Sequence, residues 1–180
     1  MEERGGGMKQ ILLVTGACRS GKSRFAQGWA EARSPRRLFL ATAVAGDQEM
    51  AERIRRHREG RGPGWETVEE PRDVAHALRA RGREFGVVLM DCATLWATNL
   101  LLDGLACEEI LARTVELAEV LGEVPCSVAL VTNEVGWGIV PANDLARRFR
   151  DVAGAMNQAL AQAADQVVLL VCGIPLTLKG

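Results

Sequence analysis

The chain has 180 residues, 48% of them hydrophobic and 25% charged, which fits one compact domain with a substantial core and excludes a disordered chain, a fibre or a disulfide-stapled miniature. Its 22 Lys plus Arg nearly cancel its 23 Asp plus Glu, for a formal net charge of -1, so no global positive field draws it to nucleic acid or an anionic membrane. Any phosphate binding must be local.

In chain order, residues 1–8 carry Glu2, Glu3 and Gly5–Gly7 and read as a flexible N-terminal extension ahead of a domain at 9–180, without the basic and apolar regions of a signal peptide. The first apolar run, Ile11–Thr15, reads as a strand. It runs directly into Gly16-Ala17-Cys18-Arg19-Ser20-Gly21-Lys22-Ser23, which matches G-x-x-x-x-G-K-[ST] in full and opens a helical pattern over Lys22–Ala32, the context that a phosphate-binding loop requires. Gly16 and Gly21 let the backbone curl so that successive N–H groups face phosphate oxygens. Lys22 reaches the β and γ phosphates, and Ser23 holds Mg²⁺.

A second strand is expected over Leu38–Thr42 and a helix over Asp47–Arg58, stopping at the Gly- and Pro-rich loop Gly60–Gly64. On that helix Met50, Ile54 and His57 fall at i, i+4 and i+7, so His57 shares a stripe with two core candidates while Arg53, Arg55, Arg56, Arg58 and Arg61 surround it. Neighbouring cations favour a neutral imidazole, which is the nucleophilic form. The residues alone favour a helix-end histidine interacting with the dipole, with the arginines as a solvated face. His76, in the next helix at Asp73–Arg81, has no comparable setting and reads as structural.

Gly86-Val87-Val88-Leu89-Met90-Asp91 is an apolar strand ending in a carboxylate, placed as a Walker-B acid to anchor Mg²⁺. A helix over Glu108–Leu121, a strand over Val128–Val131, a shaped loop at Gly136–Pro141, a helix over Asn143–Ala164 and a strand over Val167–Cys172 complete the pattern. Asn133 and Glu134, at a strand end, and Trp137 either shape a substrate pocket or form a cap and a rigid turn. The apolar runs lack polar alternation and are all too short to span a bilayer. Alternating strands and helices imply an α/β fold, a mostly parallel sheet with helices on both faces, with sites at the carboxyl ends of the strands. The five cysteines, Cys18, Cys92, Cys107, Cys126 and Cys172, show no CxxC spacing, which argues against zinc or a disulfide framework and makes the cytoplasm the expected compartment.

Six ordered blocks carry a family resemblance: GACRSGKSRFA, Ala41-Thr42-Ala43 followed by DQEMAERIRRHREGR, WETVEEP, MDCATLWATNLL, TNEVGWGIVP, and LARRFRDVAGAMNQALAQAADQVVLLVCGIPL. Together, from about Lys9 to Lys179, they resemble the bifunctional cobinamide kinase and cobinamide-phosphate guanylyltransferase family of cobalamin biosynthesis. The resemblance implies a single-domain P-loop NTPase of RecA-like type. It implies phosphorylation of the aminopropanol hydroxyl of adenosylcobinamide with ATP or GTP, then transfer of GMP from GTP to adenosylcobinamide phosphate through a guanylylated histidine, releasing pyrophosphate.

The family motif places that histidine at His57, where some members carry paired histidines and this chain has Arg56 before it. The nucleotide contacts that carry over are Gly16, Ala17, Cys18, Arg19, Ser20, Gly21, Lys22, Ser23, Ala41, Thr42, Ala43, Arg58, Glu59, Gly60, Arg61, Glu69 and Asp91. Ser23 and Asp91 would serve Mg²⁺. Glu69 can accept from guanine N1–H and its 2-amino group, a contact adenine cannot supply. A homotrimer is the implied assembly. Two rivals remain: a monofunctional small-molecule kinase, which needs no His57, and a RecA-like nucleic-acid-dependent NTPase, which the absence of Tyr and the near-zero net charge disfavour.

Overall fold

The computed structural model describes residues 8–46, 48, 52, 55 and 59–180. Its elements in chain order are β1 (Ile11–Gly16), α1 (Lys22–Glu31), β2 (Arg37–Ala41), β3 (Trp65–Glu69), α2 (Val74–Arg81), a 3-10 turn at Gly82–Glu84, β4 (Val87–Asp91), α3 (Ala93–Leu102), α4 (Cys107–Glu123), β5 (Ser127–Val131), α5 (Asp144–Ala163), β6 (Gln166–Val171) and β7 (Ile174–Lys179). Gln48, Glu52, Arg55 and Glu59 are also helical. Residues 1–7 of the expected 1–8 extension and most of the expected Asp47–Arg58 helix lie outside the described residues.

Seven strands form one sheet in the order β3-β2-β4-β5-β1-β6-β7. All neighbours are parallel except β6 and β7, an antiparallel pair turning through Cys172 and Gly173, both at positive φ. The mostly parallel α/β sheet read from the apolar runs is therefore the observed fold. The runs are continuous because the central strands are buried on both faces. Ile11 and Leu13 point into a core with α2, α3, α4 and α5, including Trp96, Leu117 and Leu160; Leu12 and Val14 point into a smaller core with Ala26 of α1, Leu89 and Val131.

Three elements were not expected from the sequence: β3, α3 and β7. Expected ends shift by a residue or two elsewhere, because Asp73 and Asn143 are caps rather than first turns. Asp73 accepts from His76 N at 3.3 Å and Asn143 Oδ1 from Ala146 N at 3.1 Å, each satisfying one of the orphan amides of a helix start.

Candidate active site

The carboxyl ends of β1, β2, β3 and β4 assemble one edge. Ala41 is in register with Glu69 on one side and with Asp91 on the other, and Asp91 pairs with Val131 of β5, which pairs with Val14 of β1. Glu69, Ala41, Asp91 and the end of β1 thus lie along a single sheet edge, as ligand sites in open α/β sheets do.

The loop after β1 has the curl its glycines predict. Gly16 has φ 145° and Gly21 φ 97°, the region that favours glycine. A Cβ on Gly16 would stand 2.5 Å from the Leu170 carbonyl oxygen of β6, so no other residue fits there. Arg19 also adopts positive φ, 56°. Gly21 is the N-cap of α1 without a side-chain cap, which leaves the first amides of the helix and its positive dipole end for an anion.

Lys22 is buried, and its Nζ donates to the Ala17 carbonyl at 2.6 Å. Ala17, Cys18 and Arg19 are exposed, whereas Ser20 is buried with an Oγ that meets no hydrogen-bond partner among the described residues. A polar loop that holds its lysine inward is suited to a polyphosphate. Ser23 and Asp91 are half-buried, on α1 and at the end of β4, and α1 packs against β1, β4 and β5. One hydroxyl and one carboxylate suit Mg²⁺, which takes most of its ligands from phosphate and water. No denser cluster of metal-ligating side chains occurs among the described residues.

Thr42 is fully buried and pinned by residues the sequence reading did not single out. Its Oγ1 donates to the Cys92 carbonyl and accepts from Cys92 N, each at 2.8 Å, while Asn99 of α3 donates to its carbonyl at 2.8 Å. Ala43 is half-buried beside it. The only signals for Asn99 and Thr94 were polar residues inside an otherwise apolar segment.

His57 and Arg58 lie outside the described residues, as do Arg53 and Arg56. Of the cations expected around His57, Arg55 binds Glu52 and Glu59, each at 2.8 Å. These partners hold its guanidinium pKa well above the ordinary range, Glu52 first. Glu59 and Gly60 are exposed. Arg61 lies over the Phe39 ring at 3.7 Å and donates to Thr67 at 3.2 Å, on the β2–β3 side of the sheet. Glu69 is exposed at the end of β3.

Asn133 and Glu134 meet at the end of β5. Glu134 N donates to the Gly16 carbonyl at 3.2 Å, and its Oε1 accepts from Thr15 Oγ1 at 2.7 Å and Asn157 Nδ2 at 3.1 Å. Trp137, in the following loop, is exposed. His76 is exposed on α2.

The family described as cobinamide kinase / cobinamide phosphate guanyltransferase matches residues 12–178. The bifunctional adenosylcobalamin biosynthesis protein CobP of Pseudomonas aeruginosa is 43% identical over 171 residues, covering 93% of this chain and 96% of its own length. CobU proteins described in the same words from Escherichia coli and Salmonella typhimurium are 42% and 41% identical, each covering 94% of this chain and 99% of its own length. Matched by the family model over residues 12–178 and 41–43% identical to relatives over more than nine-tenths of each chain, this chain belongs to the cobinamide kinase / cobinamide phosphate guanyltransferase family.

Proposed function

We propose that this chain phosphorylates adenosylcobinamide and then transfers GMP from GTP to the resulting phosphate, giving adenosylcobinamide-GDP in cobalamin nucleotide-loop assembly. Family membership over residues 12–178 and the intact phosphate loop Gly16–Ser23 support this reading together.

In the first reaction the loop amides and Lys22 orient the triphosphate and neutralise charge on the transferring phosphoryl group. Lys22, whose Nζ donates to the Ala17 carbonyl, exchanges that partner for the phosphates on binding. Ser23 and Asp91 would hold Mg²⁺, which adds charge neutralisation at the phosphate oxygens. In the second reaction His57 attacks the α-phosphorus of GTP, pyrophosphate leaves, and the phosphate of adenosylcobinamide phosphate displaces the histidine, a ping-pong course. Arg58, Glu59, Gly60, Arg61, Ala41–Ala43 and Glu69 would contact that nucleotide, Glu69 selecting guanine.

We assign the protein to the cytoplasm as a homotrimer whose partners are the corrinoid and nucleotides rather than nucleic acid. No helix among the described residues is long and apolar enough to cross a membrane. Exposed Ile174, Leu176 and Leu178 on the edge strand β7 favour an assembly, and sedimentation as the 19.5 kDa single chain would count against it.

The test supplies adenosylcobinamide, Mg²⁺ and ATP, then GTP, and follows both corrinoid products by chromatography. Sequential appearance of the phosphate and the GDP ester is expected, with phosphate formation falling at least about 10²-fold in Lys22→Ala. Formation of the phosphate without the GDP ester would instead identify a monofunctional kinase.

A further inference from the structure

The proposed phosphorylation needs one group that the phosphate loop does not contain: an acceptor for the proton leaving the attacking hydroxyl. Strand β5 lies between β1 and β4, so the chain leaving it emerges between the phosphate loop and Asp91. Glu134 is three residues beyond β5, fixed to the base of the loop by its amide on the Gly16 carbonyl.

Among the described residues its carboxylate is held at one oxygen. Oε1 accepts from Thr15 and Asn157. Asn157 is oriented in turn: its Oδ1 accepts from Thr132 Oγ1 at 2.7 Å and its Nδ2 also donates to the Asn133 carbonyl at 3.2 Å. The Thr132 and Thr94 hydroxyls are 3.2 Å apart, and Thr94 Oγ1 accepts from Asn133 N at 2.8 Å. Thr15, Thr94, Thr132 and Asn157 are all buried. Four elements, β1, β5, α3 and α5, therefore fix one orientation of a half-buried carboxylate whose Oε2 takes no hydrogen bond among the described residues. The loop that follows in the chain exposes Trp137, Ile139 and Val140, an apolar face that suits a bulky substrate.

We propose that Glu134 is the base of the kinase step. Its Oε2 takes the hydroxyl proton as the substrate oxygen bonds to the γ-phosphorus and the bond from that phosphorus to the bridging β–γ oxygen breaks; the carboxyl then returns the proton to solvent. The inference rests on the kinase reading above. It predicts a split between the two activities, because the phosphate that accepts GMP carries no proton that must be removed.

The experiment compares wild type with Glu134→Gln, which keeps an oxygen at Oε1 for Thr15 and Asn157. Two rates are measured separately: phosphorylation of adenosylcobinamide by ATP, and GMP transfer from GTP to supplied adenosylcobinamide phosphate. A loss in kcat of phosphorylation of about 10²-fold or more, with the KM for ATP and the GMP-transfer rate within about threefold of wild type, is expected. Phosphorylation within about threefold of wild type overturns the proposal. So does a parallel loss of both activities, which marks Glu134 as part of the scaffold. Glu134→Asp, whose shorter carboxylate recovers part of the phosphorylation rate that Gln loses, is the second expected outcome, and no recovery counts against a base. Wild-type protein that phosphorylates no corrinoid overturns the kinase reading itself, and this inference with it.

Discussion

All three lysines of this arginine-rich chain close onto backbone carbonyls. Lys9 donates to Gly122 at 2.6 Å near the end of α4, and Lys179 donates to Ala161, Gln162 and Ala164 at the end of α5, where a cation complements unsatisfied carbonyls and the negative dipole end. Lys22 does the same with Ala17, but inside the curled loop after β1; on the proposed function that partner is exchanged for phosphate, where the other two are structural. The cysteines divide comparably. Cys18 and Cys172 are exposed, while Cys92 is buried and its thiol is pushed up to about 12, first by burial and then by the Asp91 carboxylate. At pH 8 a thiol reagent should modify Cys18 and Cys172 in the folded protein and reach Cys92 only on unfolding, and nucleotide should shield Cys18; peptide mapping checks this, and rapid native labelling of Cys92 would contradict it. Because the folded thiol holds its proton when the unfolded one has lost it, Cys92 makes stability fall as pH rises from about 9 towards about 12.

At the scale of elements, α5 shows how a single cap bears on the site, since it carries Asn157 to the Glu134 carboxylate. Asn143→Ala removes the bond to Ala146 N and should lower stability by about 1 kcal/mol, read as a shift in the urea midpoint with an unchanged slope. Buried parallel strands and capped amphipathic helices such as α5 were legible because their patterns are local. The three missed elements have no such pattern. Helix α3 is apolar nearly all round, with Trp96, Ala97 and Leu100 all buried, so no polar face marks a helical period. Strand β3 is half-buried and bounded by Gly64 and Pro71, and β7 carries Pro175 and is exposed along its length, tolerable only at a sheet edge. The phosphate loop and Asp91 were equally legible, one as a complete motif in context and the other as a strand end. The network joining Thr15, Thr94, Thr132 and Asn157 to Glu134 was not, because its members lie up to 142 residues apart and meet only when β5 is inserted between β1 and β4.

For the whole molecule, the proposed function asks one sheet edge to serve two chemistries on two phosphorus atoms. The phosphate loop at β1 and the acids at β3 and β4 are joined by β2 and β5 in a single register, so a nucleotide laid along that edge can present its γ-phosphate to a hydroxyl in one reaction and its α-phosphate to a histidine in the other. The second of these is covalent guanylylation at His57. The direct measurement is the intact mass of the protein after incubation with Mg²⁺ and GTP, with ATP as control, repeated on His57→Ala. A gain of one GMP with GTP alone, labile to acid, stable to base and absent from the variant, is expected. An unmodified wild-type chain that still phosphorylates adenosylcobinamide, or an adduct that survives in His57→Ala, would contradict it.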